Sequence, residues 1–297
     1  MTAAADSEFT FLTASQAERL RTEARDAFSR HGVTTVVFAP YLQSDTHGTF
    51  PLLSLAQKCK EAPEDKWSQL IEEHVAALVA NPLGSLTMER DELLAKAYLR
   101  LLPDDFSPDP DHFRYARPVS EGLVSAIAVD LPDTVQILDD GEVERVGLGA
   151  LRSTARANLV NLPIDDYQVA TRPDGTDIHL VNGSSMFVAS KALVLPQLME
   201  QVAGLRPPAD GVLVAVPWRH HLAFHPILDR TVLTALNEMT PYAFAAYQDN
   251  AGALSPRLYW WKDGVLTNLT KIDHEAKSFE PAPPVELVDA IRRLVNG

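Results

Sequence analysis

Residues 167–181 read Tyr167-Gln168-Val169-Ala170-Thr171-Arg172-Pro173-Asp174-Gly175-Thr176-Asp177-Ile178-His179-Leu180-Val181. Pro173-Asp174-Gly175 is a strong turn signal, because proline presets φ for the first corner and glycine accepts a left-handed one after it. The flanks, Tyr167–Thr171 and Asp177–Val181, are rich in β-branched and aromatic residues and read as the two strands of a hairpin. Strands joined so tightly must lie antiparallel, since parallel neighbours need a crossover of about a dozen residues or more.

The same arrangement recurs outward from this hairpin. Leu258–Trp261 and Val265–Leu269 flank the turn Lys262-Asp263-Gly264, and Val212–Val216 with Leu222–Phe224 follow the turn Asp210-Gly211. Leu123–Val129 and Thr134–Leu138 make a further pair, ended by a turn at Asp140-Gly141. Helices separate the pairs. Leu148–Leu162 is helical by the spacing of Leu148, Leu151, Ala155, Leu159 and Leu162, and Lys191–Ala203 is a helix broken in two by Pro196. Pro226–Met239 follows, and Pro284–Val295 closes the chain with an apolar stripe of Val285, Val288, Ile291, Leu294 and Val295. Two strands and a helix, four times over, predict an α+β fold. Its sheet is mostly antiparallel, one continuous layer of successive β-β-α units with helices on one face. No Gly-rich turn follows a strand, which argues against a dinucleotide fold.

Upstream, Thr13 with Gln16 reads as a capping box opening a helix from Ala14 to His31, stopped by Gly32. Val33–Ala39 reads as a strand, and Tyr41–Pro51 as an extended piece with a turn at Thr46-His47-Gly48. Pro63 then opens a helix whose apolar face is Trp67, Leu70, Ile71, Val75 and Leu78. These form a small α-β-β-α unit, residues 1–101. Leu102–Asp111 packs prolines among aspartates and holds no regular element, so 102–112 reads as a linker and 113–297 as the main α+β domain.

Composition narrows the function classes. The chain has 297 residues, 26 basic and 40 acidic side chains, and a net charge of −14. That acidity argues against nucleic acid or an anionic membrane surface as partner. The single cysteine, Cys59, excludes a disulfide framework. The apolar run Val212–Trp218 is far shorter than the ~20 residues that span a bilayer. The first ten residues lack the basic and apolar regions of a secretory leader, so a soluble, cytoplasmic protein is expected.

Several short motifs carry a resemblance. In order they are Arg117-Pro118-Val119-Ser120, Asp130-Leu131, Ala157-Asn158-Leu159, Gly183-Ser184-Ser185, Val216-Pro217-Trp218-Arg219 followed by Leu222, and Leu254-Ser255-Pro256-Arg257-Leu258-Tyr259. This series resembles the YtpQ-like family of uncharacterised bacterial proteins, a domain of unknown function, from Tyr115 to Leu269. The resemblance implies a soluble bacterial α+β protein with no established activity. Where the family has an acidic residue after the arginine, this chain has His220.

The densest chemistry lies in Trp218-Arg219-His220-His221-Leu222-Ala223-Phe224-His225. His220 and His221 are the candidate acid/base residues, because imidazole titrates near neutral pH. In a strand they point to opposite sides, so at most one lines a given cleft. His221 and His225 are the conceivable metal pair, but four strand residues span roughly 13 Å, awkward for gripping one ion. Arg219 is a candidate anion contact oriented by Asp130, and Arg117 has the same reading; a structural ion pair is the plainer alternative for each. Of Trp260-Trp261, the outer ring, Trp261, is a candidate binding anchor. Gly183-Ser184-Ser185 is not a nucleophile elbow, Cys59 reads as a buried hydrophobe, and Asp165-Asp166 point apart in extended chain.

Three functions follow as expectations. The first is a cytoplasmic binding or regulatory protein acting through contacts with another protein, since the sequence offers no recognised nucleophile, phosphate loop or metal cluster. The second is an enzyme or small-molecule binder whose cleft unites Arg117, Asp130, Arg219 and His220 or His221 around a small anion. The third is a hydrolase with a His-bound metal. No cofactor is expected.

Overall fold

The structure, a computed structural model, describes residues 4–44, 48–80, 88–107, 110–131, 135–250, 252–273 and 278–296. It divides into two compact units, one of residues 1–86 with 249–252 and one of residues 87–248 with 253–297.

In the first unit, helix α1 (Ala14–Arg30) begins at the expected capping box. Thr13 Oγ1 accepts the Gln16 amide at 3.2 Å, and Gln16 Oε1 accepts the Thr13 amide at 2.9 Å. Strands β1 (Val36–Val37), β2 (Tyr41–Ser44) and β3 (Gly48–Pro51) form an antiparallel meander. The extended piece therefore folds back as two strands; residues 45–47 of its expected turn lie outside the described residues. Helices α2 (Leu53–Glu61) and α3 (Trp67–Ala80) complete the unit, with a 3-10 turn at Glu64–Lys66 where the helix was expected to begin. Leu20, Phe28, Phe50, Leu55, Trp67, Ile71 and Val75 form its core. Arg21 pairs with Asp6 through two hydrogen bonds of 2.9 and 2.8 Å, and its Nε donates to Ala39 O at 2.8 Å.

The second unit opens with α4 (Arg90–Lys96) and β4 (Ala97–Pro103), followed by β5 (Arg117–Ser120), β6 (Leu123–Asp130) and β7 (Val135–Ile137). β4 pairs with β6 along its whole length, Ala97↔Val129 to Pro103↔Leu123. Those ladder bonds tie residues 97–103 to the main unit, so the division falls at 86/87 and not at the Pro/Asp stretch expected to be a linker. β5 and β7 share the other edge of β6, completing a four-stranded sheet. Helices α5 (Asp140–Val146) and α6 (Leu148–Asn161) follow; the expected turn at Asp140-Gly141 is the start of α5, because Asp139 and Glu142 form a capping box.

Six strands then build the central sheet: β8 (Asp166–Thr171), β9 (Asp177–Asn182), β10 (Val212–Ala215), β11 (His221–Pro226), β12 (Leu258–Lys262) and β13 (Val265–Asn268). Their spatial order is β13-β12-β10-β11-β9-β8, with every pairing antiparallel. A 3-10 turn (Ala189–Val194) leads into α7 (Leu195–Ala203), which takes Pro196 in its first turn, and α8 (Val232–Asp249) lies between β11 and β12. Strands β14 (Thr270–Asp273) and β15 (Ser278–Pro281) pair separately, and α9 (Val285–Asn296) closes the chain.

The fold is α+β with antiparallel sheets, as the turn chemistry implies. Two expectations are corrected. The strands form separate sheets and not one layer, and helices cover both faces of the central one. The 3-10 turn and α7 pack on the face carrying Val181, Val212, Val214, Leu222 and Phe224. Helices α8 and α9 pack on the face carrying Leu213, Ala215, Ala223, Leu258 and Trp260. Every residue of β10 and β11 is buried, the mark of strands shielded on both sides. Helix α8 starts at Val232, not Pro226, because Pro226 still pairs with Val212 in the sheet. It then runs past Met239 through Pro241.

Candidate functional site

Four walls of the second unit enclose a hollow of about 560 Å3. Arg117 and Pro118 of β5 with Ser125 of β6 make one wall, and Arg152 and Arg156 of α6 a second. Ala192, Leu193 and Pro196 make the third; Trp261 and the Gly264–Leu266 segment make the fourth. Among the described residues, the lining holds three arginines and no carboxylate.

Local structure explains the gathering. Arg117 is the cross-strand partner of Ser125, so both side chains rise from one face of the four-stranded sheet. Arg152 and Arg156 lie four residues apart on α6 and so share a helix face. Leu151, Ala155 and Leu159 of the same helix are buried and fix its rotation. Arg152 Nη2 donates to Tyr115 O at 2.6 Å. Tyr115 is itself anchored, because its hydroxyl donates to Leu138 O at 2.7 Å and accepts from Ile127 N at 3.1 Å. Burial first, and the charge of Arg117 second, push the Arg152 pKa down. Among the described residues, no carboxylate pairs with Arg117, Arg152 or Arg156. A neighbouring hollow of about 640 Å3 includes both Glu200 and Arg206 in its lining and has no such bias toward anions.

Asp130, Arg219 and His220 gather elsewhere. On β6, Asp130 lies five positions beyond Ser125, an odd offset, so it faces the opposite side of the sheet from Arg117. The expected cleft uniting Arg117 with Asp130 is therefore not formed. Tyr98 and Arg100 of β4 pair with Ala128 and Ala126, which places them on the Asp130 face. Gly183 N donates to His220 O and Ala189 N to Arg219 O, each at 3.1 Å, fastening the 183–189 segment against residues 219–220. Phe187 of that segment stacks on Tyr98 at 4.6 Å and lies 5.8 Å from the Arg100 guanidinium carbon. Burial, then the like charge of Arg219, push Arg100 down to about 10, with Asp130 acting in the other direction. Burial raises the Asp130 pKa against the opposing charge of Arg100.

His220 belongs to this cluster as a neutral ring. Its Nδ1–H donates to Ser185 O at 3.1 Å and its Nε2 accepts from Arg219 Nε at 3.0 Å, so neither nitrogen is open to a reacting group. Burial and the charge of Arg219 lower its pKa.

His221 is buried on the other side of the chain. Its Nδ1–H donates to Asn182 Oδ1 at 2.6 Å, its Nε2 accepts from the Tyr242 hydroxyl at 2.7 Å, and Trp218 stacks on the ring at 4.3 Å. Burial pushes its pKa down to about 4. A ring with both nitrogens engaged and no solvent contact holds the fold together; as arranged, it neither transfers protons nor ligates a metal with His225. His225 Nδ1–H donates to Asp177 O at 2.7 Å, while its buried Nε2 has no partner among the described residues. Among the described residues, no group of three or more His, Cys, Asp or Glu side chains is placed to hold a metal ion.

The remaining candidates resolve simply. Trp260 is buried, its Nε1 donating to Asp210 O at 2.9 Å, whereas Trp261 is partly exposed and lines the arginine hollow. Asp165 accepts the Ser184 amide and hydroxyl, each at 2.8 Å, while Asp166 accepts from Asn182, so the adjacent carboxylates do part. Cys59 is buried and its thiol is pushed up to about 11 by desolvation. Arg152, Arg156 and Arg100 are the residues that sequence reasoning missed. The four-residue spacing of the first two along a helical stripe was a usable signal; nothing local marks Arg100. No family model, curated protein or solved structure matches the chain.

Proposed function

We propose that this protein binds a small organic anion bearing more than one negative charge, such as a phosphate ester, joined to a flat apolar group. One observation carries this reading: in a chain of net charge −14, Arg117, Arg152 and Arg156 line one hollow with no carboxylate partner among the described residues. Guanidinium forks match phosphate and carboxylate oxygens bidentately. Trp261 offers a ring wall for the apolar part. Calorimetric titration with phenyl phosphate tests the proposal, with phenol as the uncharged control. Binding that weakens as salt rises and collapses in Arg152→Met supports it; an intact protein that ignores millimolar phenyl phosphate refutes it.

The YtpQ-like family remains the proposed kinship. It is supported by the convergence of three separated motifs, at Asp130, Gly183–Ser185 and Arg219, on one cluster. A cytoplasmic setting is proposed with it; among the described residues no helix is long and apolar enough to cross a membrane. Contact with a protein partner is favoured separately by Val36 and Phe38, 60 % and 44 % exposed, beside the edge of the first unit's sheet. Sedimentation of the full chain against a Val36→Lys variant reads that contact, and identical self-association or partner binding in both would count against it.

A further inference from the structure

The arginine hollow does not end at its own walls. Pro196, in the first turn of α7, lines both it and the neighbouring hollow of about 640 Å3. On α6, Arg152 and Arg156 line the first hollow, and Val160 and Asn161 line the second. Positions 152, 156 and 160 follow one another at four-residue spacing on a single stripe of that helix. Gln197 and Glu200 continue the other wall beyond Pro196 along α7. The two hollows therefore run on into one another as a groove between α6 and α7. Lys191 ties these walls together: it is fully buried, and its Nζ donates to Val160 O at 3.0 Å and to Gln201 Oε1 at 2.8 Å.

The second stretch differs from the first in its chemistry. Glu200 and Arg206 offset one another in charge, and the other polar side chains of its lining are the carboxamides of Asn161, Gln197 and Gln201. A carboxamide both donates and accepts, which complements a neutral dipolar group such as a peptide unit and does not favour a second anion. Among the described residues no aromatic side chain lines this stretch, so a nucleobase would find no ring to stack on there. Asn161, Gln197, Glu200 and Arg206 are exposed, which leaves it open to a chain lying across the surface. Val160 sits one turn, about 6 Å, beyond Arg156, a distance that two extended residues cover at about 3.3 Å each.

Resting on the reading of Arg117, Arg152, Arg156 and Trp261 as an anion site, we propose that the groove binds a phosphotyrosine-bearing segment of a partner protein. The guanidinium groups take the phosphate and Trp261 packs against the phenyl ring. The two residues beside the phosphotyrosine run along the second stretch, their peptide groups paired with Asn161 and Gln197.

Calorimetric titration of the full chain tests this with a blocked pentapeptide of glycines around a central phosphotyrosine. Its phosphoserine and unphosphorylated counterparts, phenyl phosphate and adenosine monophosphate are the comparisons. The phosphotyrosine peptide is expected to bind roughly tenfold or more tightly than phenyl phosphate, the scale of two added hydrogen bonds. The phosphoserine peptide should bind more weakly for want of a ring against Trp261, and the unphosphorylated peptide should not bind. The double variant Asn161→Ala, Gln197→Ala changes two exposed side chains; it should remove the peptide's advantage and leave phenyl phosphate unchanged. A peptide that binds no better than phenyl phosphate, an advantage that survives the double variant, or an equal response to phosphoserine overturns the proposal. Tighter binding of adenosine monophosphate than of the phosphotyrosine peptide overturns it too, and assigns the groove to nucleotides. Failure of phenyl phosphate itself refutes the anion site and this inference with it, whereas phenyl phosphate binding without a gain from the peptide refutes this inference alone.

Discussion

Arg156→Met should bring two opposite changes in one variant. Arg156 is exposed, sits four residues from Arg152 on α6, and pairs with no carboxylate among the described residues. Like charges at that spacing destabilise a helix by about 0.2–0.5 kcal/mol, so removing one should leave the ligand-free protein as stable or slightly more stable. The same change removes a charge-assisted contact to a bound anion, about 1.5–3 kcal/mol, or roughly tenfold or more in affinity. At a phenyl phosphate concentration a hundredfold above the dissociation constant, binding stabilises the parent by about 2.7 kcal/mol; a tenfold weaker variant gains only about 1.4 kcal/mol. Urea unfolding with and without ligand measures both numbers. A ligand-free loss above about 1 kcal/mol would show that Arg156 supports the fold. An undiminished ligand gain would show that it does not face the anion. Either result refutes the reasoning.

Four further expectations concern the scaffold. Burial holds His221 at about 4 against 6.5 for a free imidazole, so the unfolded chain takes up the proton first. Stability from this residue is complete above pH 6.5 and is lost as pH falls toward 4, by about 3 kcal/mol; urea curves at pH 7 and 4.5 that coincide would contradict this. Tyr242→Phe strips the donor from His221 Nε2 and should cost about 1–3 kcal/mol at pH 7 without altering ligand binding, read by the same assay. Asp6→Ala leaves Arg21 buried without its carboxylate and should cost about 3–5 kcal/mol, and a loss under 1 kcal/mol in the unfolding of the full chain would reject the pairing as structural. Gly211→Ala should cost about 2 kcal/mol or more, since φ is +87° and the new Cβ would stand 2.5 Å from Trp261 O. Gly204→Ala, at φ +64° with open space around it, should cost clearly less, and comparable melting temperatures would contradict the steric argument.

Much of the local architecture was legible. Pro173-Asp174-Gly175 and Lys262-Asp263-Gly264 fixed two hairpins, and Thr13 with Gln16 fixed the start of α1, because these signals act over a few residues. Asp139 and Glu142 are an equally local signal, which the turn suggested by Gly141 obscures. Trp261 and Arg117 were picked out singly and do share a hollow. Their partners Arg152 and Arg156 were hidden in a helix read only for its apolar stripe.

The sequence by itself determined antiparallel pairing, since short turns leave a chain no room to cross over. Its uninterrupted apolar run from Val212 to Val216 carries the mark of a strand buried on both sides, although the turn pattern alone suggests helices on one face only. Tertiary structure alone decided which charges meet. The register Arg117↔Ser125 and the two-residue period of a strand send Arg117 to one face of the sheet and Asp130 to the other. Long-range backbone bonds bring Phe187 to Arg100 across nearly ninety positions of chain. Register between distant strands depends on packing summed over the whole core, and no short window of residues carries that sum.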